Sequence, residues 1–200
     1  MMKYETDSRK VKDGQIFVAI KGHTVDGHDY INDAIKNGAS KIICEHDIDS
    51  DVEYLVVDNT EEYLKNKISE EYKDKIKSLK IIGVTGTSGK TTSCYLIYQM
   101  LLKLGKNASY LGTLGYYNNN IFIEENNTTP DILNLYKILL KAVEDNVEYL
   151  VMEVSSHSLA FERLKGVELS IGAFTNLSQD HLDYHKTMEA YLNEKLKIMK

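Results

Sequence analysis

The sequence predicts an α/β protein in two parts, a small N-terminal α/β unit and then a doubly wound domain built on a mostly parallel sheet. Three observations carry this. Strand-like and helix-like segments alternate along the chain. The texture changes near residue 80, where a strongly apolar run meets a glycine-rich turn. Beyond it, residues 149–154 and 169–175 are continuous apolar runs, the pattern of parallel strands buried on both faces.

Taken in order, residues 15–20 (Gln-Ile-Phe-Val-Ala-Ile) read as a strand leading into a turn through Gly22 and Gly27. Residues 30–37 have helical spacing with Gly38 as a stop, and 41–44 and 54–57 read as short strands. Asn59 or Thr60 is placed to cap a helix over 61–77, where charge is mixed and apolar positions are sparse. These elements make a first domain of residues 1–79. Residues 80–85 then form an apolar strand, 94–104 a helix closed by Gly105, and 107–111 a short strand. Residues 112–125 are a Gly/Asn-rich excursion. Residues 131–145 form an amphipathic helix introduced by Pro130, the chain's one proline. A last helix runs from about 187 to the end. Strand and helix in alternation imply right-handed crossovers for a second domain of residues 80–200.

Composition narrows the function. The chain has 200 residues, 42% hydrophobic and 27% charged, with a formal net charge of −6. That balance argues against nonspecific nucleic-acid binding, which needs a basic face. Residues 1–79 carry 12 basic and 17 acidic side chains, and residues 80–200 carry 12 and 13. The near-neutral second part is the easier home for a polyanion. No apolar run reaches the roughly 18 residues of a membrane helix, and the start lacks the apolar stretch of a secretory signal. A cytoplasmic protein without membrane insertion is expected. Cys44 and Cys94 lie far apart and read as free thiols in a reducing compartment.

The strand over 80–85 runs into Gly86-Thr87-Ser88-Gly89-Lys90-Thr91-Thr92 and then a helix. This is the arrangement phosphates require. Gly86 and Gly89 let successive amides turn inward as an anion nest, and the following helix adds its positive end. Lys90 would reach β- and γ-phosphates and the Thr91 hydroxyl would hold Mg²⁺, which makes the whole turn, Gly86 to Thr92, the candidate ATP site. The general pattern has glycine where Val84 stands, and a Gly83/Gly86/Gly89 spacing replaces it. Glu153 ends a buried strand at the sheet edge where open α/β folds hold ligands, so its carboxylate is a candidate Mg²⁺ ligand. His181 and His185, four apart, would share one helix face as in a zinc site, but no third ligand accompanies them.

These residues together resemble the Mur ligase family. The turn is similar to that family's Thr-Gly-Thr-Asn-Gly-Lys-Thr-Thr loop, with Ser88 replacing the usual Asn. Asn127-Thr128-Thr129-Pro130-Asp131, Met152-Glu153-Val154-Ser155-Ser156-His157 and the run from Thr175 through His181 to His185 follow in family order. Asp7-Ser8-Arg9, Phe17-Val18-Ala19, Gly22 and Asp26-Gly27-His28 resemble the family's first domain. The combination is most similar to the UDP-N-acetylmuramoyl-tripeptide synthetase branch.

The resemblance implies ATP-dependent joining of a diamino acid, meso-diaminopimelate or lysine, to UDP-N-acetylmuramoyl-L-alanyl-D-glutamate through an acyl phosphate, by a monomer in peptidoglycan synthesis. It assigns catalytic roles to Lys90, Glu153, His181 and Lys195. Thr91, Glu153, His181 and Lys195 would hold Mg²⁺, with Lys195 carbamylated so that a cation becomes an oxygen ligand. Ser8, His23, Thr24, Val25, Asn127, Thr128, Thr129, Ser155 and Arg163 fall on substrate-contact positions. Phe161 stands where some relatives carry glutamine. By the same resemblance the chain stops inside its ATPase domain, lacks a C-terminal amino-acid-binding domain, and starts late. Alone it is expected to be inactive as a ligase and marginally stable, since a parallel sheet cut short exposes strand edges. Another Mur ligase, a folylpolyglutamate-type synthase and a non-catalytic ATP-dependent switch are the competing readings.

Overall fold

The computed structural model describes residues 2–22, 24–118, 121–123 and 127–199. It divides into two compact units, Met1–Ile68 and Ser69–Lys200.

The first unit is a four-stranded parallel sheet of β1 (Tyr4–Glu5), β2 (Ile16–Val18), β3 (Lys41–Cys44) and β4 (Glu53–Val56), side by side in chain order. Alternation along the strands sorts the side chains. Phe17, Ala19, Ile42 and Cys44 join a core with Ile31 and Ala34 of α1 (Ile31–Lys36), while Val18 and Ile43 are buried facing the other way. The expected helix at 61–77 is α2 (Thr60–Tyr72) followed by a 3₁₀ turn at Lys73–Ile76. Its apolar positions are few, but Leu64, Ile68, Tyr72 and Ile76 recur every fourth residue and all are buried. Of the two candidate caps, Asn59 does the work, its side chain accepting from the Glu62 amide at 2.7 Å. Thr60 is buried and donates to the Ala19 carbonyl at 2.8 Å.

The second unit is a six-stranded sheet in the order β10-β5-β9-β6-β7-β8. Four strands are parallel: β5 (Lys80–Thr85), β6 (Ala108–Gly112), β9 (Tyr149–Glu153) and β10 (Ile171–Phe174). The Gly/Asn-rich excursion, to which no strand was assigned from sequence, adds two antiparallel strands, β7 (Gly115–Asn118) and β8 (Ile121–Ile123). Tyr116 and Tyr117 favour the pleat, and Tyr116 is fully buried there. Strand β10, expected to be buried on both faces, is instead an edge strand, and Ile171 is 56% exposed.

Helix α3 (Lys90–Lys103) starts four residues before its expected position, because Gly89 at φ +81° turns the loop straight into the first helical residue. It ends in a Schellman closure, with the amides of Gly105 and Lys106 donating to Leu102 and Leu101. Its Cys94 and Tyr98 pack on Ile82, Val84, Tyr110 and Val151. Helix α4 (Ile132–Glu144) is capped by Asp131 and buries Leu135, Leu139 and Ala142. Three short helices complete the unit: α5 (Ser156–Ala160), α6 (Leu182–His185) and α7 (Met188–Leu196), of which the first two were not expected. Among the described residues no helix is long and apolar enough to cross a membrane.

From β5 the chain moves to β6 on one side and later, from β9, to β10 on the other, with β5 and β9 adjacent between them. The order reverses at β5, and the crevice at its carboxyl end is where such sheets hold ligands. Burial sets the stability ranking on α3 and α4. Leu139→Ala should lower the unfolding free energy by about 2–5 kcal/mol, whereas Met100→Ala, 62% exposed on α3, should change it by less than about 0.5 kcal/mol. Urea unfolding of the two variants measures both.

Candidate functional site

At the carboxyl end of β5, Thr85 leads into the turn Gly86–Gly89 and the start of α3. Val84, standing where the general pattern has glycine, lies inside β5 and is buried in the core. The turn therefore opens at Gly86. Gly83 is a strand residue whose added Cβ would run into Leu169, so it is no part of the loop. Gly86 is at φ +143°, and a Cβ there would overlap the Thr175 hydroxyl.

The segment after β10 clamps the turn. Asn176 is the hub: its carbonyl accepts from the Thr87 amide at 2.9 Å and its side-chain oxygen from the Ser88 amide at 3.0 Å. Thr175 Oγ1 donates to the Ser88 carbonyl at 2.8 Å, and the Ser178 amide donates to Thr87 Oγ1 at 3.0 Å. Two loop amides expected to point at a phosphate are thus committed to Asn176. The first-turn amides of α3, from Lys90 to Thr92, have no intrahelical acceptors and remain as the anion-facing set.

Glu153, at the end of β9, is fully buried rather than a solvated strand-end glutamate. Four donors reach it. Tyr110 Oη at 2.5 Å and the Thr113 amide at 2.9 Å donate to Oε1, while Thr91 Oγ1 at 2.9 Å and Thr113 Oγ1 at 3.3 Å donate to Oε2. Thr91 and Glu153 thus present two hard oxygens 2.9 Å apart. Mg²⁺ takes hard oxygens of this kind, a hydroxyl and a carboxylate, as ligands, so the chemistry of the pair suits that ion. Among the described residues no three His, Cys, Asp or Glu side chains gather as a metal-binding group.

Two ammonium groups meet at one carbonyl. Lys90 Nζ donates to the carbonyls of Gly86 at 2.9 Å and Thr87 at 3.0 Å, and Lys195 Nζ donates to Gly86 at 2.8 Å. Lys195, near the end of α7, is 1% exposed. Burial first, and then the neighbouring Lys90 charge, brings its pKa down to about 8. Sequence pattern alone makes it a solvated helix lysine; its burial on the Tyr191 ring, with Nζ 4.5 Å from the ring centre, is a tertiary effect. Tyr191 in turn places its hydroxyl 3.3 Å from Thr87 Oγ1.

His181 precedes α6 at φ +51°, so it and His185 do not share a helix face. Its half-exposed ring lies edge-on to His157 at 5.0 Å between centres. His185 is buried with Nε2 3.0 Å from Ser156 Oγ. Burial, and then charge on His181, lowers the His157 pKa.

The expected substrate-contact residues separate into groups. Thr128, Thr129, Ser155 and Arg163 come together around the end of β9. Thr129 Oγ1 donates to the Glu153 carbonyl at 2.9 Å and accepts from the Ser155 amide at 3.1 Å, and Arg163 Nη1 donates to the Thr129 carbonyl at 2.7 Å. Ser155 Oγ caps α5. Thr128 Oγ1 lies 3.1 Å from Thr113 Oγ1, and Asn127 is exposed. In the first unit Thr24 and Val25 are exposed, Ser8 is 6% exposed, and His23 lies outside the described residues. Asn176, Thr113 and Tyr110 carry the site's geometry without having been singled out. Asn176 sits inside a quoted motif, whereas Tyr110 reads only as an apolar strand residue.

A family profile described as Mur ligase middle domain matches residues 84–200, and one described as Mur ligase family, catalytic domain, matches residues 3–84. The chain belongs to the Mur ligase family. Similar members include a UDP-N-acetylmuramoyl-L-alanyl-D-glutamate–2,6-diaminopimelate ligase of Clostridium botulinum, 46% identical over 99% of this chain and 42% of the relative. A ligase of the same description from Bacillus licheniformis is 43% identical over 96% of this chain and 39% of its own length. Among solved Mur ligase structures, one described as UDP-N-acetylmuramoyl-L-alanyl-D-glutamate–2,6-diaminopimelate ligase has a TM-score of 0.76 at 32% identity, covering 98% of this chain and 40% of that one. A MurF ligase from Thermotoga maritima in complex with ADP has a TM-score of 0.67 at 28% identity, over 99% of this chain and 43% of its own. The chain thus spans about two fifths of the length of these relatives.

Asn176→Ala removes the acceptor for the Ser88 amide and leaves the Thr87 amide bonded to the backbone. In the variant Ser88 should exchange its amide hydrogen several-fold faster, with Thr87 little changed, as NMR exchange rates would read.

Proposed function

We propose that the protein acts as an ATP-dependent amide-bond-forming ligase that adds a diamino acid, 2,6-diaminopimelate in the reading its relatives' names favour, to UDP-N-acetylmuramoyl-L-alanyl-D-glutamate. The observation that carries this is the Thr91–Glu153 oxygen pair set beneath a phosphate turn, with two lysines converging on Gly86. Relatives sharing over two fifths of this sequence bear that description.

In this mechanism the γ-phosphoryl of ATP passes to the substrate's terminal carboxylate, ADP departs, and the incoming amine attacks the acyl phosphate. Phosphate then leaves and the amine's proton goes to solvent. Such a transfer asks for positioning and charge neutralisation more than for a side-chain nucleophile. Lys90 would leave the Gly86 and Thr87 carbonyls for the β- and γ-phosphates, and the first-turn amides of α3 would hold the triphosphate. Thr91 and Glu153 would hold Mg²⁺, which when bound neutralises charge on the phosphates. His181 is the candidate for a second ion.

Lys195 would react as the neutral amine with CO₂, forming a carbamate and releasing a proton. A carbamate nitrogen keeps one N–H for the Gly86 carbonyl. The change replaces a buried ammonium facing Lys90 with an anion facing it, turning repulsion into attraction. Arg163, Ser155, Thr128 and Asn127 would meet the sugar-peptide substrate, with Thr129 holding the strand end that presents them. Thr24 and Val25 are its candidate contacts in the first unit. A reaction consuming ATP and a UDP-linked substrate would run in the cytoplasm.

The full-length gene product, given ATP, Mg²⁺, the uridine-linked dipeptide and diaminopimelate, should form the tripeptide product together with ADP and phosphate. Lys90→Ala should cut kcat by at least about a hundredfold. Intact mass in bicarbonate should rise by one CO₂ in the wild type and not in Lys195→Arg. Phosphate release indifferent to the dipeptide would instead indicate a nucleotide switch.

A further inference from the structure

We propose that Tyr110 is a positioning residue for Glu153, holding one carboxylate oxygen so that the other faces Thr91 and the phosphate turn. The inference rests on the functional reading above and deepens it. The two oxygens of Glu153 have different surroundings. Oε1 accepts from Tyr110 Oη at 2.5 Å and from the Thr113 amide at 2.9 Å, both from or just after β6. Oε2 meets only hydroxyls, of Thr91 at 2.9 Å and Thr113 at 3.3 Å. Hydroxyls can rotate away when an ion arrives; a backbone amide and a packed phenol cannot.

Packing holds the Tyr110 ring in place for this. Its ring is fully buried, with Tyr95 edge-on at 5.9 Å and Tyr117 tilted at 6.0 Å between centres. The Leu114 amide donates to its hydroxyl at 3.5 Å, so the phenol's own proton points to Glu153. The approach is close enough to require glycine beside it. A Cβ on Gly112 would overlap both Glu153 Oε1 and the Tyr110 hydroxyl. Phenylalanine at 110 would fill the same space and leave Oε1 with one donor, so the carboxylate could turn about its terminal torsion.

The test is calorimetric binding of a non-hydrolysable ATP analogue to the full-length gene product, titrated over Mg²⁺ and repeated in EDTA. Tyr110→Phe should raise the Mg²⁺ concentration for half-maximal tight binding about tenfold, the effect of one hydrogen bond to a charged group. Metal-free affinity should stay the same, which also shows that the variant is folded. Gly112→Ala disturbs the same contact from the other side and should give the same signature, while Tyr117→Phe, altering a ring packed on Tyr110, should not. A wild-type Mg²⁺ midpoint in both Tyr110→Phe and Gly112→Ala overturns the proposal and leaves the functional reading standing. Loss of metal-free and metal-dependent affinity in equal measure shows a merely structural role and overturns it too. A wild type that binds the analogue equally well with and without Mg²⁺ sinks the functional reading, and this inference with it.

Discussion

The hydrogen bond from Thr91 to Glu153 is the constraint around which the second unit is arranged. It ties the first turn of α3 to the end of β9, two elements 62 positions apart in sequence. Only a parallel pairing of β5 with β9 brings them together, because it sends both carboxyl ends to one edge. There the register sets Val84 opposite Glu153, so β5 runs one residue further before the turn can open. The loop after β10 then closes over the turn through Asn176, and the one after β6 closes over Glu153 through Thr113. Each contact joins segments far apart in sequence, and all depend on the strand order that reverses at β5.

Charge explains the second feature of this edge. A fully buried carboxylate and a fully buried lysine sit on either side of one glycine-rich turn, yet no ion pair joins them among the described contacts. Each meets neutral partners instead: hydroxyls and an amide for Glu153, the Gly86 carbonyl for Lys195. Buried groups of this kind are costly unless something offsets the desolvation. A phosphate chain with its cation would supply the missing counter-charges, which is the economy expected of a site organised before its ligand arrives.

Much of the scaffold was legible in the sequence. Residues 80–85 and 131–145 announce themselves through apolar continuity and amphipathic spacing, and the stops at Gly38 and Gly105 through turn chemistry. Lys90, Thr91 and Glu153 could be picked out as candidates because a phosphate turn between strand and helix, and a carboxylate ending a buried strand, are local signals. What escaped is tertiary. Strands β7 and β8 are short and sit in Asn-rich sequence that masks the tyrosine pair and the Ile-Phe-Ile run favouring the pleat; β7 pairs with β6, and β8 with β7. Lys195 looks like a surface residue until α7 is packed and Tyr191 covers it; only the family resemblance pointed to it. Tyr110 carries no motif and Asn176 only lies within one, and their roles exist only through what lies across the sheet edge from them.

In the proposed reaction Thr91 and Glu153 form a metal seat under the triphosphate. A crystal structure of the full-length gene product grown with Mn²⁺ and a non-hydrolysable ATP analogue tests it most directly, through anomalous scattering from manganese. The account requires a peak bonded to Thr91 Oγ1 and beside Glu153 Oε2, with the direct bond between those atoms gone. A peak elsewhere, or phosphates lying away from the turn while Thr91 still donates to Glu153, would contradict it.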